Sequence, residues 1–399
     1  MKITFVGATR MVTGSCFHIQ SNGSHLLVDC GLFQGTGEDE KRNEEPFPFN
    51  PSDVQYLLLT HAHLDHSGLI PRLVKKGFRG KVIATETTVE LCNMMLLDSA
   101  HIQERDAEWE NRKRMRAGKL PIQPLYTVEE ATESLAYFQG VAYNETVEFG
   151  NGIKARFQDA GHIMGSAIIE LWVKEGAEEK KLVFSGDIGQ KDFPIVKDPT
   201  IIEEGDYVFT ESTYGNRRHK DIKETTEEFC QAVRKTLEGG GNVIIPAFAV
   251  GRTQIILYIL KQLSKEGKLN SLKVFLDSPM AIKATSITLA HPECFDEETL
   301  KLIKEGKFSG NTLSLKYSES VEDSVEINKI KGGAIIISAS GMCNAGRILH
   351  HLKHNLWREE CSVIFVGYQA RGTLGRKIIN GAEEVRLLGE EIAVRAKIY

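Results

Sequence analysis

Apolar positions along this chain come first in short alternating runs and only later at helical spacing. Residues 3–6, 25–29 and 54–60 are strand-like, punctuated by Gly7, Gly14, Gly31, Gly35, Gly37 and the pair Asn50-Pro51 as turns. Helical periodicity begins after Asp65 with Leu69, Leu73 and Val74, and a stronger helix is expected over residues 87–103. Its continuation, 104–119, is so dense in charge that it reads as a solvated helix face or flap. Thr127, three residues before Glu130, spells a capping box opening a helix that runs through Phe138. Strands are then expected over 141–149, 153–158, 167–173, 181–184 and 207–210.

From about Thr213 the pattern changes. Helices over 224–237, 252–265, 321–330 and 347–356 alternate with buried strands over 242–245, 273–276, 334–337 and 362–366, the signature of a parallel sheet covered by helices. With 399 residues the chain is too long for one small core, so two units, or one unit with a large insertion, are expected. There is no internal repeat.

Composition adds constraints rather than an identity. A net charge of −5 neither announces nor excludes a nucleic-acid substrate, because bound cations and a local basic stripe can set the field in a cleft. Seven scattered cysteines without a C-x-x-C pair read as reduced thiols. No signal peptide is seen and no apolar run approaches the roughly 18 residues of a membrane helix, so a soluble cytoplasmic protein with no membrane role is expected.

The chemistry concentrates in His61-Ala62-His63-Leu64-Asp65-His66, directly after the apolar strand ending at Thr60. If that segment is extended, His61 and His63 project to one side, while Asp65 and His66 enter the next helix and turn toward the same point. Four ligand-type side chains thus converge without long-range help. Two further candidates lie in glycine-flanked turns at the edges of apolar strands: His162 in Ala160-Gly161-His162-Ile163-Met164-Gly165-Ser166, and Asp187 in Ser185-Gly186-Asp187-Ile188-Gly189. Asp29 is read as the acceptor of a ligating histidine's ring N–H rather than as a ligand, since such histidines need an orienting partner. Imidazoles and carboxylates with no nearby cysteine suit Zn²⁺ at a catalytic site, with Mn²⁺ or Fe²⁺ as alternatives.

The order Asp29, His-Xaa-His-Xaa-Asp-His, His162, Asp187 resembles the four motifs of the metallo-β-lactamase superfamily, over residues 1 to about 210. Thr210-Glu211-Ser212-Thr213-Tyr214-Gly215 resembles the acidic motif that opens a β-CASP insertion. Gly332-Gly333, Ser340-Gly341-Met342 and Gly367-Tyr368 through Gly372-Thr373-Leu374-Gly375 resemble its interior. The resemblance implies an α/β fold, an αββα sandwich over 1–212 with an inserted β-CASP α/β domain over 213–389. It implies a return to the first domain over 390–399.

Carried over, the family pattern makes His61, His63 and His162 ligands of one metal and Asp65 and His66 ligands of a second, with Asp187 bridging. Asp65, Asp187 and Glu211 take the catalytic roles. Two Zn²⁺ per chain, roughly 3.5–4 Å apart, would activate a water for phosphodiester hydrolysis. The expected activity is that of a ribonuclease in RNA processing, acting on single-stranded RNA, with a homodimer or processing-complex partner as the accompanying expectation. The family's C-terminal Phe-Ser-Ala/Gly-His and His-Gly motifs are absent from this sequence, so a weakened nuclease is expected. The alternatives are an inactive nucleic-acid-binding or partner-binding subunit, or a DNA-directed nuclease.

A phosphate backbone needs donors. Among Arg217, Arg218, Arg252, Arg347, Arg371 and Arg376, the first choices are Arg252 and Arg347, together with the turn Ser340-Gly341 that precedes a helix. Of His350, His351 and His354, one is expected to pack and the others to be solvated. Tyr368 and Trp357 are expected in the core.

Overall fold

A computed structural model describes residues 1–35, 37–304 and 313–399. The chain divides into two units, Met1–Asp192 with Val196–Asn216, and Phe193–Ile195 with Arg217–Tyr399.

The first unit is built on two sheets. In the six-stranded one the order is Lys2–Phe5, Phe17–Ser21, Ser24–Val28, Tyr56–Leu58, Lys81–Thr85, Phe138–Val141. It is antiparallel over its first three strands and parallel thereafter. In the five-stranded sheet the order is Tyr207–Phe209, Glu178–Phe184, Ala167–Glu175, Ile153–Asp159, Thr146–Gly150. Alternation decides which face each residue takes. Leu26, Val28, Leu58 and Ile83 pack with Phe157, Ile169, Leu171 and Phe184 in one core between the sheets. Their neighbours Leu27, Leu57, Val82 and Ala84 are also buried but lie outside that cluster, on the opposite face. That side receives the helices, among them the 31-residue Glu86–Arg116 and the capped Val128–Leu135.

The second unit is a doubly wound parallel sheet, in the order Ser314–Tyr317, Lys273–Leu276, Ala334–Ser338, Val243–Pro246, Ser362–Val363, Lys397–Ile398. Ile335 and Ile337 face Val233, Ile256, Leu260 and Leu263. Ile336 and Ala334 face Ile348, Leu352 and Leu356. Both faces are therefore dry, which is why the strands read as unbroken apolar runs.

Several boundaries differ from expectation. The single strand over 141–149 is two strands in different sheets, separated by a turn in which Asn144 takes φ 65°. The apolar alternation runs on through that turn and hides the crossing. The helix after Thr127 stops at Leu135 rather than Phe138, although both halves of its capping box are formed. The last strand, expected to start a return to the first domain, instead pairs Lys397–Ile398 in parallel with Ser362–Val363 of the second unit's sheet. Strand Phe17–Ser21 and helices Pro279–Ala290 and Leu374–Ile379 were not anticipated. Trp357 is 53% exposed, not core, because helix Ile348–Asn355 ends before it and turns its side chain outward. Among the described residues no helix is long and apolar enough to cross a membrane.

Candidate metal centre

Strand Tyr56–Leu58 ends three residues before His61, and His63 stands at the N-cap of the short helix Leu64–Ser67 with ψ 144°. The change from extended to helical backbone at His63 swings Asp65 and His66 back over the strand end. Three consecutive carbonyls of this turn are gripped from outside: Leu64 O accepts from Leu32 N, Asp65 O from Ser15 N and His66 O from Cys30 N, each at 2.8 Å. Gly31 is required there, since a Cβ at that position would lie 1.6 Å from Asp65 O.

Six side chains meet at this turn. His63 Nδ1 lies 3.1 Å from His61 Nε2 and 3.2 Å from His162 Nε2. Asp187 Oδ2 lies 3.4 Å from His162 Nε2 and 3.8 Å from His61 Nε2. Its other oxygen, Oδ1, is 3.3 Å from His66 Nε2, which is 3.9 Å from Asp65 Oδ2. Tetrahedral ligands at 2.0–2.1 Å from one Zn²⁺ stand roughly 3.3 Å apart. The His61, His63, His162 and Asp187 donor atoms therefore have about the spacing that one ion would set.

Charge and burial fit that use. Burial, reinforced by the neighbouring imidazoles, pushes His61 well below its ordinary pKa and His63 down to about 4, which keeps both rings neutral with a lone pair to give. His66 goes the other way: burial opposes its charge, but the carboxylates of Asp187 and Asp29 outweigh burial and raise it well above the usual value. Its Nε2, aimed at Asp187, is where a cation would replace the proton. Burial raises the Asp65 carboxyl, whereas Asp187 is held well below the carboxylate range despite burial, by His66 first. Asp187 and His162 remain 29% and 26% exposed, so the centre is open to solvent on that side.

Asp29, with φ 60° and 1% exposure, accepts the His66 Nδ1–H at 2.7 Å and also Thr60 N, Thr60 Oγ1 and Ser15 Oγ. This fixes the His66 tautomer with Nε2 turned to the site. Thr60, which sequence reasoning missed, does the same one step removed: its hydroxyl lies 3.1 Å from His61 Nδ1 and 3.0 Å from Asp29. The only signal was a hydroxyl residue at the strand end before the histidines. Ser166 was missed as well; its Oγ accepts from His162 N and Ile163 N and shapes that turn.

Among the described residues Glu211 makes no hydrogen bond to the imidazoles. Its carboxylate accepts from Ile188 N at 3.2 Å and Thr213 N at 3.3 Å, bracing the loop that carries Asp187.

The expected phosphate contacts lie in the second unit. Arg252 opens helix Arg252–Lys265 with its guanidinium 5.4 Å from the Phe193 ring centroid. Ser340 and Gly341 form a tight turn in which Gly341 O accepts from Gln369 Nε2 and a Cβ on Gly341 would strike Phe248. Arg347 donates to Asp277 Oδ1 at 2.7 Å and to the carbonyls of Ser318 and Glu319, bonds that brace the unit internally. Asp277 is fully buried and also accepts from Ser324 Oγ and His351 Nε2, both at 2.6 Å. His351 is the packed member of its trio, and His350 and His354 are exposed.

Compared with known proteins, residues 10–227 match the model of the metallo-beta-lactamase superfamily and residues 253–378 that of the Beta-Casp domain. The chain is 38% identical over 399 residues to ribonuclease TTHA0252 of Thermus thermophilus, covering 100% of this chain and 86% of that protein. It is 31% identical to transcription termination factor FttA of Methanosarcina mazei, covering 98% of this chain and 59% of the factor. It is 29% identical to an RNase J-like protein of Methanocaldococcus jannaschii, covering 99% of this chain and 84% of that protein.

Proposed function

The chain belongs to the metallo-β-lactamase superfamily and carries a Beta-Casp domain, and from that premise we propose that it is a metal-dependent ribonuclease whose site holds two divalent ions. The observation that carries the reading is Asp187, whose two carboxylate oxygens face different imidazoles, Oδ2 toward His61 and His162 and Oδ1 toward His66.

His61, His63, His162 and Asp187 would hold one ion, and Asp65, His66 and Asp187 the other. Zn²⁺ suits the donor set, with Mn²⁺ or Fe²⁺ as alternatives. Bound there, the pair supplies a water of lowered pKa and positive charge for the scissile phosphate. The chain's own residues do the rest. Asp29 and Thr60 keep the His66 and His61 rings in one tautomer and orientation. Glu211 holds the Asp187 loop in place through the amides of Ile188 and Thr213. Arg252 and the Ser340-Gly341 turn remain the proposed contacts for the RNA backbone.

The test is incubation of the metal-loaded chain with a labelled single-stranded RNA and its DNA counterpart, with and without chelator, beside Asp187→Ala. RNA cleavage that needs metal and disappears in the variant supports the reading. Preferential DNA cleavage, or RNA cleavage that survives in Asp187→Ala, overturns it. Metal content of two ions per chain, falling in His63→Ala, checks the donor set without relying on activity.

A further inference from the structure

Beyond Ala107 no residue of the long helix Glu86–Arg116 is buried, yet this stretch is neither bland nor loose. Trp109 is 60% exposed, Met115 73% and Leu120 82%. Over residues 111–119 Arg112, Lys113, Arg114, Arg116 and Lys119 are all cationic with no acid among them, in a chain of net charge −5. Helical spacing sets Arg105, Arg112, Lys113 and Arg116 on the face of Trp109, and Lys113 Nζ lies 3.0 Å from the indole centroid. The acids nearby bind weakly: Glu108 stands 3.8 Å from Arg112 and Glu110 3.8 Å from Lys113, in exposed pairs that contribute little and exchange readily.

The tip is held in shape from within. Asn111 clasps both backbone groups of Ile122, accepting its N–H at 2.7 Å and donating to its carbonyl at 2.9 Å. Arg114 Nε donates to Leu120 O at 2.7 Å. A solvent-facing indole with Lys113 against its ring, and arginines outnumbering the one acid, Asp106, at neighbouring positions of its helix face, offers what a flexible polyanion with aromatic bases needs: base stacking is sequence-tolerant and the cations follow the backbone.

We infer that the tip of this helix is a second RNA-contact site, where a base stacks on Trp109 and Arg105, Arg112 and Arg116 take flanking phosphates of single-stranded RNA. The inference rests on the ribonuclease reading and deepens it. The helix begins beside the metal centre, since the hydroxyls of Thr85 and Thr88 donate to Gly165 O in the turn that carries His162. At about 1.5 Å per residue, Trp109 lies roughly 35 Å along the axis from Glu86. At about 3.4 Å per stacked nucleotide, a strand on the order of ten nucleotides is needed to touch both places.

The experiment compares a 30-nucleotide and a 5-nucleotide single-stranded RNA on the metal-loaded chain and on Trp109→Ala, Trp109→Phe and the triple variant Arg105→Ala/Arg112→Ala/Arg116→Ala. All these positions are solvent-facing, and an unchanged Tm verifies the fold. For the 30-mer, KM rises on the order of tenfold in Trp109→Ala with kcat within about twofold, and Trp109→Phe restores most of it. The triple variant lowers the slope of log affinity against log salt by about 2. The 5-mer is cleaved alike by all. Equal KM for the 30-mer in every variant, or equal losses on both lengths, overturns the inference, the former outcome favouring a protein partner at the tip. If the parent chain cleaves neither RNA, the ribonuclease reading fails on its own, and equilibrium binding of the 30-mer to parent and Trp109→Ala still decides whether the tip holds RNA.

Discussion

Asp29 accepts the ring N–H of His66 at 2.7 Å while the hydroxyl of Thr60 sits between the same carboxylate and His61. One buried acid therefore orients two histidines, one directly and one through a relay. Replacing Thr60 by Val keeps the shape and removes the relay, and Asp29→Asn presents an amide where Thr60 N and Oγ1 need an acceptor. Both variants are expected to fold and to lose about 10- to 100-fold in metal affinity. Chelator competition measures this, and unchanged affinity in both would show that the rings need no such orienter.

Gly31 carries the close approach that holds the ligand turn. An alanine there places its Cβ 1.6 Å from Asp65 O and 2.1 Å from Asp65 C, backbone that cannot swing aside. The expected cost is about 3 kcal/mol of unfolding free energy, with metal content lost alongside. Gly23→Ala is the control: its Cβ meets nothing within 4 Å, and only its φ of +75° is strained, for about 1 kcal/mol. Denaturant unfolding of the two variants separates steric from conformational cost.

The readable part of this molecule was the part written locally. His61, His63, Asp65 and His66 stand within six positions, and their convergence follows from one strand-to-helix change at His63. His162 and Asp187 were legible as glycine-flanked turns, but what pairs them with the first group is the stacking of two sheets, which no local pattern encodes. Thr60 could not be singled out because a hydroxyl at a strand end has many uses. Arg347 shows the opposite limit: its turn reads as a phosphate site, while the fold also gives it a partner, Asp277, that lies 70 positions earlier in the chain and leaves no local sign. The parallel sheet of the second unit was clear from its apolar runs. The end of that sheet was not, because Lys397–Ile398 is too short to advertise its neighbour.

Asp277 makes an acid-side prediction. Burial alone would raise its pKa, but the hydrogen bonds from His351, Ser324 and Arg347 win and lower it. A carboxyl depressed in the fold contributes stability above its ordinary value near 3.9, lost as pH falls through the folded pKa. Asp277→Asn should therefore cost about 3 kcal/mol at pH 7 and flatten the loss of stability on acidification below about pH 4. Arg347→Ala should lower Tm at pH 7 as well. A variant with unchanged Tm but a raised KM for RNA would instead return Arg347 to the substrate.

Asp159 makes the reverse prediction. Burial pushes its carboxyl up to about 6, although Gly161 N donates to Oδ1 at 2.9 Å. An acid whose pKa is raised in the fold favours the protonated form, so its charge is a penalty that is full above about pH 6 and relieved as pH falls toward the ordinary value. Asp159→Asn keeps an oxygen for Gly161 N and cannot ionise. It should stabilise the first unit at pH 8 by about 1–2 kcal/mol, a Tm rise of a few degrees, and change nothing at pH 4. A rise that is equal at both pH values would mean that packing, not charge, is the cause. A fall at pH 8 would mean that the ionised carboxylate serves the turn ahead of His162.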